Sequence, residues 1–200
     1  STTVDGITTK VVKNGVRQFT GTDRTNFFTN LYDHDIPAAG TPLREATISV
    51  GEYFKRTDDQ GPWGQTPGST GGTQHECRQN FNILMTDGYW TEGSISGMDN
   101  SDNQSGSTIT NDSSPATPAS YTYSPSSPYS DAYSDTLADV AMHYWKNDLR
   151  TDMLNKVPTN AHDPAFWQHL VNFTVGLGVT GSLSSLPSGS ESWPDPTTSD

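Results

Sequence analysis

The stretch NFNILMTDGYW, from Asn80 to Trp90, predicts the strand around which the rest of the chain folds. Residues 81–85 contain the unbroken apolar run Ile-Leu-Met, which is typical of a strand in a parallel sheet with helices on both faces. A polar turn with Asp87 and Gly88 follows. Because open α/β sheets bind ligands beyond the carboxyl ends of their strands, Asp87 is a candidate cation ligand. Asp-Gly is also common turn chemistry, so an ordinary turn is the alternative interpretation.

Apolar residues at helical spacing predict three helices around this strand. The predicted helices are one capped by Thr22 with a stripe of Phe27, Phe28 and Leu31, one from Pro42 to Phe54, and one from Ser134 to Leu154. A second buried strand is predicted from Leu170 to Leu177, and Asn14-Gly15 predicts a hairpin whose returning strand is 16–19. The order strand, helix, helix, strand, helix, strand favours an α/β fold with a mostly parallel sheet flanked by helices.

Thr41 stands where the second predicted helix begins. Gly40 precedes it, and Pro42 follows at the first helical position, where a missing N–H does no harm. The Thr41 hydroxyl therefore lies at a helix N-terminus, and at the edge of any groove there. Either it simply caps the helix or it serves as an oxygen ligand.

Two long segments are predicted to be loops, 57–76 and 91–133, because they are rich in Gly, Pro, Ser and Thr. Loops of such length are usually functional or disordered. Trp63 in the first is predicted to anchor that loop on the domain surface. In the second, four tyrosines between Tyr121 and Tyr133 are either a recognition ribbon or a belt packed across the domain.

Three spacings raise the question of a metal or catalytic site. Asp99, Ser101 and Asn103 alternate as in part of a calcium-binding loop, although Gln104 replaces the expected Gly. Asp139 and His143 are one helical turn apart, but they lack the second His and the Glu of a zinc protease, so an exposed or capping pair is favoured over a catalytic dyad. His162 and His169 are interpreted as a turn residue and a core-edge residue, rather than as metal ligands.

Composition limits the class of partner. Only 30% of the 200 residues are hydrophobic, so we expect mobile loops, or further sequence and partners that complete the fold. The formal net charge of −12 disfavours nucleic acid and anionic membranes, and favours basic partners and divalent cations. No apolar run has transmembrane length. Cys77 is the only cysteine, which leaves a buried thiol, a free thiol, or a disulfide to a residue outside the chain.

With these elements assembled, the chain resembles the von Willebrand factor A-like region of the PilY/PilC family, the tip-associated adhesins and assembly factors of bacterial type IV pili. The resembling segments are GVRQFTGTDRTNFF at 15–28, GTPLREA at 40–46, GEYF at 51–54, CRQNFNILMTDGYW at 77–90, SDTLADVAMHYWKNDLR at 134–150 and WQHLVNFTVGLGVTGSL at 167–183. The TDG and GTPL pieces are general to A-type domains, whereas ADVAMHYW and WQHLVNFTVGLG are particular to the pilus family. The resemblance implies a von Willebrand factor A-like, Rossmann-like domain over 1–183, incomplete at its N-terminus, with 184–200 as a linker or cut-off loop.

The same resemblance implies a metal-ion-dependent adhesion site in which Thr41 supplies the threonine and Asp87 the aspartate. The family's Asp-x-Ser-x-Ser loop is expected before Gly15, and residues 1–14 do not contain it. We therefore expect an empty or partial site for Mg²⁺ or Ca²⁺ within these 200 residues.

As to function, the resemblance implies a non-enzymatic module of adhesion and pilus assembly. It would bind minor pilins or the pilus tip complex, and a host or abiotic surface, at the extracellular pilus tip or outer membrane surface after export through the periplasm. That oxidising route favours the Cys77 disulfide to a residue outside the segment. A metal-free, force-transmitting spacer and a secreted hydrolase are the alternatives, and no nucleophile elbow or zinc-protease motif supports the latter.

Overall fold

The computed structural model describes residues 1–35, 40–88 and 90–178. Its helices are α1 Gly21–Tyr32, α2 Leu43–Phe54 and α3 Leu137–Lys146, with a short 3-10 helix at Ser101–Asn103. Its strands are β1 Thr2–Val4, β2 Ile7–Thr9, β3 Phe81–Thr86, β4 Ile109–Thr110, β5 Ser120–Tyr121 and β6 Val171–Gly176. None of the helices in these ranges is long and apolar enough to cross a membrane.

β3 and β6 pair in parallel and form a two-stranded ribbon, the β3–β6 ribbon. Residues 81–86 pair one to one with residues 171–176. The other two pairs, β1 with β2 and β4 with β5, are short and antiparallel. The prediction of a mixed α/β fold with parallel pairing between the two long apolar strands is therefore confirmed.

The expectation that helices cover both faces of this sheet is wrong for the described residues. Ile83 and Met85 remain 64% and 61% exposed, whereas Leu84 between them is half-buried. Because side chains alternate along a strand, Leu84 and its neighbour Thr174 point to the side of α2 and α3, where they line a cavity with Thr47. The apolar run is thus buried on one face only.

The core lies between α2 and α3, where the ring of Tyr144 occupies the space that a side chain at Gly51 would need. Tyr144 of α3 is fully buried, and its ring fills the space beside Gly51 of α2. A Cβ atom at Gly51 would collide with that ring. The Tyr144 hydroxyl donates a hydrogen bond to Glu52 Oε1 at 2.9 Å, which gives the buried ring a polar partner at its outer end.

Trp63 belongs to this core, so the prediction of a surface anchor is wrong. Its side chain is completely buried, and Nε1 donates to the Phe54 carbonyl at 2.6 Å. The Trp63 ring also packs edge-on against Phe54. The loop 57–76 is therefore held against the end of α2, because Trp63 satisfies one of the carbonyls that a helix C-terminus leaves free.

The N-terminal predictions are wrong in position. The hairpin turns at Asp5-Gly6, both with positive φ, and not at Asn14-Gly15; residues 16–19 form no strand. Glycine adopts a positive φ with little steric cost, which explains why the hairpin turns at Gly6. The N-cap position of α1 is Thr20, not Thr22, and the Thr20 side chain makes no capping hydrogen bond. The helix contains no buried residue. Its aromatic stripe packs on itself, with Phe19, Phe27 and Phe28 in mutual contact.

The third helix is shorter than predicted at both ends. Thr136 caps α3, and Asp139 completes a capping box with it. Asn147 then adopts an extended conformation, which ends the helix at Lys146 rather than at Leu154. The Asp139 carboxylate accepts bonds from the N–H and the hydroxyl of Thr136, so Asp139 has a capping role and not a catalytic pairing with His143.

The tyrosines of the loop 91–133 divide between the two predicted roles. Tyr123 is buried, and Tyr121 stacks on Trp167 at 5.2 Å between ring centroids, so this pair forms the packed belt. Tyr129 and Tyr133 remain exposed. Only these last two are open to a recognition role.

Candidate functional site

The β3 rim, which we define as Thr41, Arg44, Asp87, Thr91 and Glu92, lies where β3 ends and α2 begins. Two hydrogen bonds join its two loops. The Thr41 N–H donates to Thr91 Oγ1 at 2.7 Å, and the Thr91 N–H donates to the Thr41 carbonyl at 3.1 Å. The segment that follows Asp87 is thereby fixed beside Thr41.

Thr41 does not cap α2, so the simple capping interpretation of its hydroxyl is wrong. The helix begins at Leu43 after Pro42, and neither residue 41 nor residue 42 supplies a side-chain cap. The Thr41 carbonyl instead accepts a bond from the Leu43 N–H at 3.0 Å. The hydroxyl is left available for another role.

The cap of α2 comes from Glu92, a residue that the sequence reasoning missed. Glu92 Oε1 accepts from the Arg44 N–H at 2.9 Å, and Oε2 accepts from the Glu45 N–H at 3.1 Å. These are two of the four N–H groups that a helix start leaves unsatisfied. A carboxylate there is also favoured by the positive end of the helix dipole.

Arg44 completes this arrangement with its side chain. Its Nε donates to Glu92 Oε1 at 2.7 Å. Its Nη1 donates to the Asp135 carbonyl, and its Nη2 donates to the Gly93 carbonyl. The guanidinium group lies 5.2 Å from the centre of the Trp90 ring. Burial acts to raise the pKa of the Glu92 carboxyl, but the bonds from Arg44 and Glu45 outweigh it and lower the pKa. Glu92 is thus a fixed anion paired with a fixed cation.

Asp87 follows β3 directly, and its side chain is exposed. The turn is closed by Thr86 instead: Thr86 Oγ1 donates to the Gly88 carbonyl at 2.8 Å and accepts from the Gly88 N–H at 3.2 Å. The Asp87 carboxylate is therefore not needed for the turn that it was suggested to begin. It lies four residues before Thr91, which binds the Thr41 backbone.

As a cation site the rim is incomplete. Within 1–35, 40–88 and 90–178, no group of three or more His, Cys, Asp or Glu side chains is arranged to hold a metal ion. Thr41 and Asp87 offer a hydroxyl and a carboxylate, which are the hard oxygen ligands that Mg²⁺ and Ca²⁺ prefer. The donor chemistry fits such a cation, but two ligands leave most of its coordination sphere to water or to groups outside this chain.

The calcium-like spacing at 99–103 serves a structural purpose instead. The Ser101 hydroxyl donates to the Met98 carbonyl at 2.6 Å, and the Asp99 N–H donates to Asp135 Oδ1 at 3.0 Å. Asn103 contributes its N–H, not its side chain, to Asn100. These bonds form the 3-10 turn and attach it near the start of α3.

Asp102 in this turn is a second residue that the sequence reasoning missed. It is 1% exposed, and its Oδ2 has no hydrogen-bond partner among the described residues. Burial, together with the nearby Asp139 and Asp131 carboxylates, raises the pKa of Asp102 to about 6. Lys146 lies close by, but its Nζ donates to the carbonyls of Ser101 and Gln104.

The histidines and the cysteine lie away from the rim. His169 is buried and contacts Asp163 Oδ2 at 2.9 Å, and His162 lies in the turn before it, in agreement with their interpretation as core-edge and turn residues. Cys77 is exposed and has no disulfide partner in the described part of the chain. Its predicted bridge to a residue outside the chain stays a prediction.

The sequence is similar to three curated bacterial proteins. It is 40% identical over 188 residues, 86% of this chain, to the type IV pilus biogenesis factor PilY1 of Pseudomonas aeruginosa strain PAK. It is 39% identical over 188 residues to the protein of that name in strain PAO1, and 31% identical over 212 residues, 90% of this chain, to that in strain UCBPP-PA14. The chain spans 15% to 17% of the length of these relatives.

Neither of the other comparisons finds a relative. No protein-family model matches the chain, and no solved structure does. The von Willebrand factor A-like fold and the domain bounds 1–183 therefore stay predictions, and the predicted linker 184–200 lies outside the described residues. The family itself follows from the identity with the three pilus biogenesis factors over 86% to 90% of the chain: this chain belongs to the PilY/PilC family of type IV pilus proteins.

Proposed function

We propose that this chain is a non-enzymatic module of adhesion and type IV pilus assembly that acts at the pilus tip. The observation that carries the proposal is the 40% identity, over 86% of the chain, to a type IV pilus biogenesis factor. The module lies at the extracellular tip or outer membrane surface, which it reaches through the periplasm. There it binds minor pilins or a surface receptor.

The contact region of this proposal is the β3 rim. Two backbone-linked loops give the rim a fixed shape, and the bound Arg44 and Glu92 give it fixed charges. Asp87 is exposed, four residues before Thr91 of this rim. A formal net charge of −12 over the chain favours a partner with basic groups, since it raises the rate of encounter with cations and cationic surfaces.

Thr41 and Asp87 are proposed to hold Mg²⁺ or Ca²⁺ when further ligands are supplied. A hard divalent cation takes about six or more oxygen ligands, so a site with two is weak by itself. An acidic group of the partner can occupy one of the remaining positions, and binding of the partner then depends on the metal. Arg44 is kept from repelling the cation because Glu92 neutralises it.

The test is capture of purified minor pilins by the chain, with Mg²⁺ present and after addition of EDTA. We expect capture with Mg²⁺, its loss with EDTA, and its loss in Asp87→Ala. Asp23→Ala removes another exposed carboxylate, on α1 and not part of the rim, and should capture pilins as the wild type does. Equal capture by Asp87→Ala would remove the rim from the proposal, and no capture by any form would remove pilin binding.

One observation favours a second candidate, a metal-free spacer that transmits force. The anion-binding start of α2 is filled by Glu92 of the chain itself, and the described residues hold no three-carboxylate or histidine cluster. A spacer needs a stable body and no exchangeable ligand. Capture of pilins that is insensitive to EDTA, or no capture at all, would favour the spacer.

A further inference from the structure

A cavity of about 530 Å³ is lined by α3 and by the segments 121–129 and 162–172. We call it the tyrosine cavity, because most of its aromatic residues are tyrosines. These aromatic residues are Tyr121, Tyr123, Tyr129 and Trp145. Its volume is in the range of about 300–1,000 Å³ that is usual for small-molecule sites. It shares no residue with the β3 rim, so it is a separate feature of the molecule.

Three of the four aromatic rings are held in place by the protein. Tyr121 stacks on Trp167 at 5.2 Å between ring centroids, and Tyr123 is buried. Trp145 is fixed at its polar end, because its Nε1 donates to Asp163 Oδ1 at 3.1 Å. Side chains that are already ordered lose little freedom when a ligand binds, so the wall is formed in advance.

Tyr129 differs from the other three rings. It lines the tyrosine cavity and is nevertheless 63% exposed. Its backbone is fixed by a turn, since the N–H groups of Tyr129 and Ser130 both donate to the Ser126 carbonyl, at 3.0 and 3.1 Å. An exposed aromatic ring on the wall of a preformed cavity is open to contact with a ligand.

The polar groups of the tyrosine cavity are hydroxyl, amide and imidazole groups. They belong to Ser124, Ser126, His162 and Asn172, and none of the described lining residues is Asp, Glu, Lys or Arg. The whole chain has a formal net charge of −12, which repels anionic ligands. A cationic ligand would lose its water without gaining a carboxylate. The lining therefore suits an uncharged ligand.

We propose that the tyrosine cavity binds a neutral sugar residue of a surface glycan. A sugar ring has an apolar C–H face, which packs on an aromatic ring such as that of Tyr129. It also has hydroxyls around its edge, which exchange hydrogen bonds with serine hydroxyls and the Asn172 amide. The ligand thus combines the same two kinds of surface as the cavity. No metal takes part, so this site and the β3 rim function independently.

A proline-rich peptide is the competing ligand, because such peptides also bind grooves lined by aromatic residues. These peptides present backbone carbonyls that need donors from the groove. The indole N–H of Trp145 is already bound to Asp163, and the Tyr123 hydroxyl donates to the Asp102 carbonyl at 2.6 Å. The two aromatic donors fixed in the wall are therefore used by the protein itself, which favours the sugar.

The test applies the full natural polypeptide that contains this chain to an array of neutral oligosaccharides, one half mammalian and one half bacterial in origin. We expect binding to at least one of them, and the half in which it occurs identifies the source of the sugar. Titration calorimetry with that oligosaccharide then measures the affinity. Addition of EDTA and the variant Asp87→Ala should leave the affinity unchanged, which separates this site from the β3 rim.

Two variants test whether the sugar lies in the tyrosine cavity. Tyr129→Ala removes the exposed ring and should weaken binding by about tenfold or more. Ala138→Phe, at an exposed position of α3 that lines the cavity, should obstruct it and weaken binding by a similar factor. Tyr133→Ala is the matched control: it removes a tyrosine that is 59% exposed and does not line the cavity, so the affinity should not change.

Four results would overturn the proposal. The first is that no neutral oligosaccharide binds, and the second is that only acidic oligosaccharides bind. The third is an affinity that Tyr129→Ala and Ala138→Phe both leave unchanged, since the sugar would then bind elsewhere on the polypeptide. The fourth comes from proline-rich peptides tested in parallel: if these alone bind, and Tyr129→Ala abolishes their binding, the tyrosine cavity is a peptide groove.

Discussion

Glu92 binds both the backbone N–H and the side chain of Arg44, at 2.9 and 2.7 Å, across 48 positions of the sequence. The contact joins the segment after β3 to the start of α2, and it is almost completely buried, with the Glu92 side chain 4% exposed. A buried charge pair is costly to break, because removal of one member leaves the other unpaired. The position of the β3 rim therefore depends on this pair.

Glu92→Gln should lower the free energy of unfolding by about 1–3 kcal/mol at pH 7, since it replaces charge-assisted bonds by neutral ones. The folded state lowers the pKa of Glu92, so its stabilising contribution is present above the unfolded pKa and is lost as pH falls through the folded pKa. Urea unfolding at pH 7 and at pH 3 measures both effects. The difference between wild type and Glu92→Gln should shrink at pH 3. Glu45→Gln, in which the exposed neighbour loses its charge, serves as the control.

The contribution of Asp102 to stability should depend on pH in the opposite direction to that of Glu92. Its pKa is raised to about 6, so the fold favours the protonated form, and this contribution is present below the unfolded pKa and lost as pH rises through 6. Asp102→Asn should therefore be more stable than wild type at pH 7.5, by about 1–3 kcal/mol, and similar to it at pH 4. Thermal unfolding across this range measures the difference. Asp99→Asn, which changes an exposed carboxylate in the same segment, serves as the control. If the stability of Asp102→Asn changed with pH in the same way as that of the wild type, the Asp102 carboxylate would not be buried as described.

Gly51→Ala should destabilise the protein, although Ala is ordinarily the better helix former by about 1 kcal/mol. The added methyl group would meet the ring of Tyr144, which is fully buried and has no room to move aside. We expect a loss of about 1–3 kcal/mol in urea unfolding. Gly93→Ala is the matched control, because its Cβ meets no atom and its φ is not positive. A stabilising effect of Gly51→Ala would contradict the close contact of α2 with α3.

The sequence was informative where one local pattern determines one element. The unbroken apolar run within residues 81–85 predicted β3, which extends to Thr86, and Leu170 to Leu177 predicted β6 to within one residue at each end. Their parallel pairing followed from the helices between them. The exposure of Ile83 and Met85 was not predictable, because an apolar run shows that a strand is suited to burial but not which elements are present to bury it.

The parts of the site that could not be predicted depend on distant residues. Glu92 caps a helix that begins 48 positions earlier, and no local rule connects the two. The position of Thr41 just before α2 suggested that its hydroxyl caps the helix. The hydroxyl does not do so, and the backbone N–H of Thr41 is bound to Thr91. Asp102 was hidden in a segment whose composition is typical of a solvated loop. Asp87 alone keeps the exposed place at the end of β3 that the sequence suggested.

Thr136→Ala should lower stability by about 1–2 kcal/mol, because it removes both the acceptor for the Asp139 N–H and a donor to the Asp139 carboxylate. Asp139 is completely buried, so the lost partner cannot be replaced by bulk water. Thr136→Ser keeps the hydroxyl and should stay within about 0.5 kcal/mol of wild type. Urea unfolding and the amide exchange rate of Asp139 measure the two effects together. If Thr136→Ala were as stable as Thr136→Ser, with the Asp139 amide still protected, the start of α3 would be held by packing on α2 rather than by its cap.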